Sequence, residues 1–294
     1  MLQTWRLRGK VYMAAYGGGE LVEYDPRAPA RFPENPRVVA DPPGGMRPVA
    51  AADDGRYLFY ASSREYGRLG SVLTRYDTRS GAAAYGADPL PDQQVCSLGY
   101  DAATRSLIAG STMHADCRSC APASDTCWFA RLGPADFSVI EKAPAPAGTQ
   151  AARVLGPVRR GQWLCACDGI PGGTPWFVLD ARALAVPPAD ALARLPTDAG
   201  RILYAGRPGW FILQFGRRVE LWHWPEARCA HVLSRTFTGY RVEADGESVY
   251  LVKPREITVL DGILKVLCDS GRMKAAAGPA SPFVRPRRAS GKPA

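Results

Sequence analysis

Residues 47–81 read RPVAAADDGRYLFYASSREYGRLGSVLTRYDTRSG and contain three short strand patterns separated by turns. Val49–Ala52 is apolar, and Asp53–Gly55 is a turn sequence, since Asp and Gly adopt turn conformations at little cost. Arg56–Ser63 is rich in the aromatic residues that favour strands, and Ser71–Tyr76 runs into a second turn that contains Asp and Gly. The stretch therefore predicts an antiparallel meander.

Weaker copies of this pattern recur along the chain, and six can be counted. The first begins near Leu2, residues 47–81 belong to the second, and the sixth ends with a predicted outer strand at Ile263–Leu267. The fourth copy ends irregularly in the Ala-rich segment Ala181–Leu195, where two adjacent prolines exclude a continuous helix. Copies of about 30 to about 55 residues bracket the length of about 40–50 residues that is typical of a propeller blade.

The second strand of the copies is apolar on both faces. Tyr57–Ala61 reads YLFYA and Trp210–Phe215 reads WFILQF. A sheet needs two apolar faces when it lies between two neighbouring sheets, whereas a two-layer sandwich buries one face of each sheet and shows cleaner alternation. The pattern therefore favours a propeller over a sandwich.

Two turn motifs carry a resemblance to a known group of proteins. Asp54–Tyr57 reads DGRY and Tyr76–Gly81 reads YDTRSG. In these motifs the chain resembles bacterial β-propellers with quinoprotein-like or YVTN-like blades. The resemblance implies an all-β fold of four-stranded antiparallel blades over residues 1–269, with six blades counted. A seventh blade is expected if an N-terminal portion is missing.

The net charge of +9 is concentrated at the C-terminus. Residues 270–294 carry +6 and no acidic residue, which leaves +3 for the rest of the chain. Because this segment is also rich in Ala, Pro and Gly, it is predicted to be a disordered, solvated basic tail. The remainder has no basic stripe with interleaved aromatics, so nucleic-acid recognition is not expected.

Neither a membrane span nor an export signal is visible. No apolar run approaches the roughly 18–20 residues that a spanning helix needs, and the first eight residues lack an apolar core of signal-peptide length. A cytoplasmic location is the default expectation. A secreted or periplasmic location is expected instead if the N-terminus is incomplete.

The enlarged loop of the third copy contains four candidate metal ligands, His114, Cys117, Cys120 and Cys127. Their spacing, H-x2-C-x2-C-x6-C, could supply a tetrahedral Cys3His zinc site. A disulfide that staples this loop, or a set of free thiols, is the competing structural interpretation. Redox chemistry at Cys117 and Cys120 is the least favoured, because no helix N-terminus is predicted beside them. Zinc is thus the one candidate cofactor.

Enzymatic signatures have little support. The chain has three histidines, His114, His223 and His231, and none of the common nucleophile, zincin, P-loop or dinucleotide motifs. His223 lies between two tryptophans on a predicted strand and is expected to pack there. Cys165 and Cys167 alternate on another predicted strand, so they should face the same side and pack as small apolar residues.

The resemblance to propellers also suggests a binding site. In such folds the first strand of each blade lines the central channel, so the residues that lead these strands should lie near one mouth. These residues are Arg47, Gln94, Arg153, Arg201 and Arg241. The loop between the second and third strands should open on the same face, and in the second copy it carries Arg64, Tyr66 and Arg68.

An arginine fork binds carboxylate or phosphate well. The predicted function is therefore a non-catalytic binding or scaffolding module, with an anionic glycan, a small molecule or a protein as its partner. In the alternative interpretation, the leading arginines only satisfy neighbouring carbonyls and aspartates. The alternative function is a carbohydrate-active propeller enzyme of the polysaccharide lyase or lactonase type.

Overall fold

The computed structural model describes residues 3–195, 199–224, 226–239 and 241–269, together with the backbone of 284–287. Strands form most of the regular structure in these residues, and neighbouring strands of each meander pair antiparallel. The protein is therefore all-β, as the sequence predicts. No helix within the described residues is long and apolar enough to cross a membrane.

The chain divides into two compact units. The first comprises Met1–Leu155 and Arg160–Arg194, and the second comprises Gly156–Arg159 and Leu195–Ala294. Strands that lie in the first unit are β1 (Gln3–Leu7), β2 (Lys10–Ala14), β3 (Leu21–Tyr24), β4 (Arg37–Ala40), β5 (Pro48–Asp53), β6 (Tyr57–Ser63), β7 (Ser71–Asp77), β8 (Ala83–Ala87), β9 (Gln94–Asp101), β10 (Ser106–Thr112), β11 (Trp128–Leu132), β12 (Val139–Pro144), β14 (Gln162–Asp168) and β15 (Thr174–Asp180). Strands with residues in both units are β13 (Ala151–Arg159) and β16 (Ala193–Leu195).

The second unit contains the remaining strands and the α-helix. These are β17 (Ala199–Tyr204), β18 (Trp210–Phe215), β19 (Arg218–His223), β20 (Arg228–Ser234), β21 (Arg241–Ala244), β22 (Val249–Lys253), β23 (Glu256–Leu260), α1 (Ile263–Asp269) and β24 (Val284–Arg287).

Consecutive strands form four-stranded meanders. β1–β4, β5–β8, β17–β20 and β21–β24 are separate four-stranded sheets in sequence order. β9–β12 and β13–β16 are joined into one eight-stranded sheet by the single residue pair Thr112–Ala151. A succession of such meanders is the strand arrangement of a β-propeller.

The second strand of the second meander is buried on both faces, as its sequence predicts. Alternate residues of β6 enter two different cores, because successive side chains of a strand point to opposite faces. Leu58 and Tyr60 pack with Trp5 of the first meander, with the rings of Trp5 and Tyr60 centred 6.0 Å apart. Phe59 packs with Leu107 of the third meander. A second strand between two neighbouring sheets is what the propeller prediction requires.

The third and fourth meanders also pack closely, and this contact depends on a glycine. A Cβ added to Gly99 on β9 would lie 2.3 Å from the ring of Trp163 on β14. The indole Nε1–H of Trp163 donates to Asp101, 3.1 Å away. Only glycine therefore allows the tryptophan to lie flat against the neighbouring sheet.

The predicted turns form with the expected chemistry. Asp54 accepts hydrogen bonds from the backbone N–H groups of Arg56 and Tyr57 at 2.8 and 2.6 Å, and Gly55 has a φ of 86°. Asp77 accepts two hydrogen bonds from the Arg56 guanidinium, at 3.2 and 2.6 Å. The two motifs of the second copy thus fasten the same end of this sheet.

One predicted strand is wrong. Ile263–Leu267 was expected to be the outer strand of the sixth copy, but it belongs to α1. Its buried positions explain the difference, because Ile263, Leu264, Leu267 and Cys268 follow the spacing of one helix face. They pack against the apolar cluster of the second unit.

The outer strand of the sixth meander is β24, which pairs with β23. It lies within the segment predicted to be a disordered tail. The other residues of 270–294 lie outside the described part of the chain. In the fourth copy, the three-residue strand β16 occupies the end that was expected to be irregular.

Candidate functional site

Arg47 precedes β5 and its backbone is fixed to the end of β6. Its N–H donates to Ser63 Oγ at 3.2 Å, and its carbonyl accepts the Ser63 N–H at 2.8 Å. These bonds extend the pairing of the two strands by one residue. The Arg47 side chain therefore leaves a well-defined backbone position at the edge of the second meander.

The Arg47 guanidinium contacts four side chains from three loops. One terminal nitrogen, Nη1, donates to Asp116 Oδ1 at 2.9 Å and to Cys117 Sγ at 3.2 Å. The other, Nη2, donates to the hydroxyls of Tyr16 and Tyr66 at 2.7 and 2.8 Å. We call these five residues the Arg47 cluster.

The three loops are the second-to-third-strand connections of three successive meanders. Tyr16 lies between β2 and β3, Tyr66 between β6 and β7, and Asp116 and Cys117 between β10 and β11. The second and third loops are also bonded directly, since the Gly67 N–H donates to Ser119 Oγ at 2.9 Å. As the sequence predicts, these loops converge on one surface of the first unit.

A glycine is needed beside this surface. Gly70 ends the β6–β7 loop with a φ of 105°, and a Cβ there would lie 2.0 Å from Asp88 Oδ1. Asp88 in turn accepts two hydrogen bonds from Arg64, at 3.1 and 2.7 Å, and one from the Ser71 N–H. The loop that carries Tyr66 is therefore held at its base by Asp88.

The Arg47 cluster combines a partly buried ion pair with exposed aromatic rings. The side chains of Arg47 and Asp116 are 19% and 13% exposed, whereas Tyr16 and Tyr66 are 61% and 53% exposed. The guanidinium carbon lies 4.6 Å from the Tyr16 ring centroid and 6.0 Å from that of Tyr66. Such distances allow cation–π attraction.

Contacts within the cluster raise the pKa values of Arg47 and Tyr66. The bond to Cys117, and then the bond to Tyr16 and the charge of Asp116, raise the pKa of Arg47 above its ordinary value. The hydrogen bond between the two tyrosine hydroxyls raises the pKa of Tyr66. The guanidinium is therefore charged at any physiological pH, and Asp116 offsets part of its charge.

The other predicted arginines have partners of their own. Arg64 pairs with Asp88 at 2.7 Å and Arg68 with Glu65 at 3.1 Å. Arg153 pairs with Asp168, and Arg241 pairs with Glu243. These contacts agree with the alternative interpretation, in which arginines at these positions satisfy nearby acids.

Two other residues that lead the first strands of their copies are Gln94 and Arg201. Gln94 is buried at the start of β9, opposite Thr112, and Arg201 is exposed on β17. Arg201 and Arg241 belong to the second unit, whereas Arg47, Gln94 and Arg153 belong to the first. A ring of arginines around one channel mouth therefore stays a prediction.

A cleft of about 380 Å³ opens next to the Tyr66 loop. Its lining residues are Gly67, Arg68, Leu69, Asp88, Pro91, Asp92 and Cys120. The cleft thus has a guanidinium, two carboxylates and a thiol on its walls. It lies between the Tyr66 loop of the second meander and the loop of the third meander that carries Cys120.

The four candidate zinc ligands do not come together. Within the described residues there is no group of three or more His, Cys, Asp or Glu side chains that could hold a metal ion. Cys127 leads β11 and is buried in an apolar core, where its thiol donates to the Thr149 carbonyl. Cys117 instead faces Arg47, and Cys120 faces the cleft. In this arrangement the strand that follows the loop places Cys127 in the core, and the Cys3His site stays a prediction.

The loop disulfide does not form, whereas the predictions for Cys165, Cys167 and His223 agree with the structure. All eight cysteines lie in the described residues and none forms a disulfide. Cys165 and Cys167 are buried in the same apolar core. The ring of His223 packs on Trp210, with centroids 4.5 Å apart, and hydrogen bonds to Glu226. His223 is thus a packing residue.

Two members of the cluster, Tyr16 and Asp116, were not predicted from the sequence. A signal for Tyr16 exists, since it follows the second strand of its copy as the Arg64–Tyr66 segment does in the next copy. No comparable signal marks Asp116, which lies in an enlarged loop without a counterpart in the other copies.

Comparisons with known proteins identify the fold. No protein-family model matches the sequence, and no curated protein matches it significantly. Among solved structures, hydrazine synthase from Kuenenia stuttgartiensis is similar, with a TM-score of 0.56 and 10% identity over 90% of this chain and 77% of that chain. TolB from Acinetobacter baumannii is similar, with a TM-score of 0.53 and 11% identity over 86% and 59%. A chain of a mitotic checkpoint complex gives 0.50 and 11% over 85% and 71%.

These similar structures are β-propeller proteins. At 10–11% identity they establish the fold of this chain and carry no information about its activity. The chain is therefore a β-propeller protein, and its function has to be argued from its own surface.

Proposed function

We propose that this protein is a binding or scaffolding β-propeller of six four-stranded blades, and that the Arg47 cluster is part of its binding surface. One observation carries the proposal. An arginine is held between two half-exposed tyrosine rings by contacts from three separate loops. Aromatic and arginine side chains with fixed conformations are the usual energetic centres of binding surfaces.

The fold alone does not choose between binding and catalysis. Of the similar structures, one is named as an enzyme and another as part of a checkpoint complex, and propellers host many unrelated functions. In the Arg47 cluster, the two terminal guanidinium nitrogens hold the side chains of Asp116, Cys117, Tyr16 and Tyr66 in place by hydrogen bonds. This arrangement preserves the shape of the surface, which reduces the entropy cost of binding a partner.

The ligand that suits this surface carries a carboxylate beside a flat or ring-shaped group. The carboxylate would share or replace the contact that Asp116 makes with Arg47, since a guanidinium has five N–H donors. The exposed faces of Tyr16 and Tyr66 would pack against a sugar ring or an aromatic side chain. An acidic glycan and an acidic peptide both meet this description.

A binding array that displays acidic glycans and acidic peptides tests the proposal. Reduced wild-type protein should bind a subset of carboxylate-bearing ligands, and Arg47→Ala should weaken that binding by at least about tenfold, because the charge-assisted contact is lost. Arg56→Ala is the matched control. Arg56 also pairs with an aspartate and lies on a tyrosine ring, but it follows β5 whereas Arg47 precedes it.

A blank array for the wild-type protein would overturn the proposal. Equal losses for Arg47→Ala and Arg56→Ala would also overturn it, since a general loss of stability would then explain both. Retained binding by Arg56→Ala together with loss by Arg47→Ala would support it.

A further inference from the structure

Cys117 has surroundings unlike those of the other thiols. It is exposed, and its sulfur accepts a hydrogen bond from Arg47 Nη1 at 3.2 Å. By contrast, burial raises the pKa of Cys96 to about 12 and that of Cys127 to about 11. Reactive cysteines in proteins are found in accessible, electropositive positions, while buried ones are inert.

The backbone around Cys117 holds the thiol in this position. Cys117 and Arg118 both adopt left-handed conformations, with φ of 52° and 54°, in a 3₁₀ turn over Asp116–Arg118. The Arg118 guanidinium is anchored on Gln150 at 3.0 Å. The turn therefore directs Asp116 and Cys117 together at Arg47.

A second thiol is available three residues later. Cys120 is partly exposed and lines the cleft of about 380 Å³ with Arg68. Cys117 and Cys120 are separated by two residues in one loop, the Cys-x-x-Cys spacing that is found in disulfide oxidoreductases. The exposed sulfur on a guanidinium and the neighbouring sulfur in a cleft together form a pair of the kind that exchanges with disulfides.

We propose that Cys117 and Cys120 are a thiol–disulfide exchange site that reacts with small anionic disulfides, such as glutathione disulfide, and that its oxidation regulates the Arg47 cluster. The regulatory part rests on the function proposed above. The exchange itself does not, and it can be measured without any ligand of the Arg47 cluster.

The reaction takes place in two steps. The Cys117 thiolate attacks one sulfur of the small disulfide, so that a Cys117 mixed disulfide forms and the S–S bond of the reagent breaks. The leaving thiolate takes up a proton equal to the one that Cys117 released. Cys120 then attacks the Cys117 sulfur, forms the Cys117–Cys120 disulfide and expels the second half of the reagent as a thiol. Two protein thiols are oxidised and one disulfide is reduced to two thiols.

The surrounding side chains assist specific steps. Arg47 Nη1 donates to the Cys117 sulfur and fixes its position for the attack. The guanidinium of Arg68, which is 55% exposed at the cleft, can pair with a carboxylate of the reagent. A carboxylate of a small disulfide can therefore bind at this cleft.

Oxidation changes the contacts of Arg47. The new bond draws the Cys117 sulfur towards Cys120, so Nη1 loses one of its two partners. The bond between Cys117 and Cys120 also pulls the turn that presents Asp116. The oxidised protein should therefore hold Arg47 less firmly between the two tyrosines and bind its ligand differently.

The test uses full-length protein in graded mixtures of glutathione and glutathione disulfide, followed by alkylation and mass spectrometry of the peptides. We expect one disulfide, between Cys117 and Cys120, and unmodified Cys127, Cys165 and Cys167. Cys120→Ser should stop at a mixed disulfide on Cys117. Arg47→Gln should slow the modification of Cys117 by about tenfold, while a near-ultraviolet circular dichroism spectrum checks that this variant folds.

Three results would overturn the proposal. One is modification of Cys229, whose pKa burial raises to about 11, as fast as that of Cys117. Another is a Cys120→Ser variant that accumulates no mixed disulfide at Cys117, and the third is a folded Arg47→Gln variant that reacts at the wild-type rate. If exchange occurs as expected while the binding array is blank, the binding function fails and the exchange site stands.

Discussion

Two clusters of the first unit each surround one charged side chain with hydrogen-bond partners, but they differ in burial. In one, the Glu23 carboxylate accepts hydrogen bonds from Lys10, Tyr12 and Arg37. In the other, the Arg47 guanidinium donates to four side chains. Glu23 is only 7% exposed, while the tyrosines on Arg47 are more than half exposed.

The two clusters also differ in which parts of the chain supply the side chains around the central charge. Tyr12 and Arg37 lie directly opposite Glu23 on the two neighbouring strands, and Lys10 lies two residues from Tyr12, on the same face. One sheet therefore builds the Glu23 cluster by strand register alone. The Arg47 cluster instead requires three loops from three meanders, with up to 70 residues between partners. This difference indicates a structural role for Glu23 and a binding role for Arg47.

The pKa shifts of Glu23 and Tyr12 agree with a structural role for Glu23. Burial alone would raise the pKa of Glu23, but the hydrogen bonds from Lys10, Arg37 and Tyr12 lower it below its ordinary value. Burial, and then the bond to Glu23, raise the pKa of Tyr12. The carboxylate is thus ionised in the folded protein and stabilises the first sheet.

Substitution of Glu23 should have the largest effect on stability. Glu23→Ala leaves the buried hydroxyl of Tyr12 and two cations without their acceptor, which should cost about 2 kcal/mol of unfolding free energy. Urea unfolding followed by tryptophan fluorescence measures this loss. Glu34→Ala, on an exposed loop of the same meander, is the matched control. Equal effects of the two variants would contradict the structural role of Glu23.

The second largest effect should be the loss of stability at low pH that Glu23 causes. Because the folded protein lowers the pKa of Glu23, its stabilising contribution is complete above the unfolded value of about 4.3 and disappears as the pH falls through the folded value. Wild-type protein should therefore lose more stability than Glu23→Gln between about pH 5 and pH 3. Urea midpoints across this range measure both curves, and parallel curves would show that Glu23 does not titrate as inferred.

Substitution of Arg47 should have the smallest effect on stability. Arg47→Gln should change the unfolding free energy by less than about 1 kcal/mol, since partly exposed ion pairs contribute little, although binding and Cys117 reactivity change. The same urea experiment measures it. A loss as large as that of Glu23→Ala would mean that the Arg47 cluster is also structural, and the contrast between the two clusters would disappear.

Much of the architecture was predictable because its signals are local. The apolar sequence that buries β6 on both faces, the DGRY turn at Asp54 and the YDTRSG turn at Asp77 are each encoded by residues close together in the chain. The α1 helix was missed because its five-residue segment Ile263–Leu267, in which four residues are apolar, fits a strand or a helix equally until the partner surface is known. The burial of Cys127 could not be read from its spacing to the other cysteines, because the strand that begins after it places this thiol in the core.

The sequence by itself determined the repeating meander, its turns and the faces that each second strand buries. These features follow from side-chain alternation and from the conformational preferences of Asp and Gly, which act over a few residues. Only the tertiary structure placed Tyr16, Tyr66, Asp116 and Cys117 around Arg47. Loop side chains that are distant in sequence meet because the meanders pack side by side, and no pattern within a single repeat specifies which of them will touch.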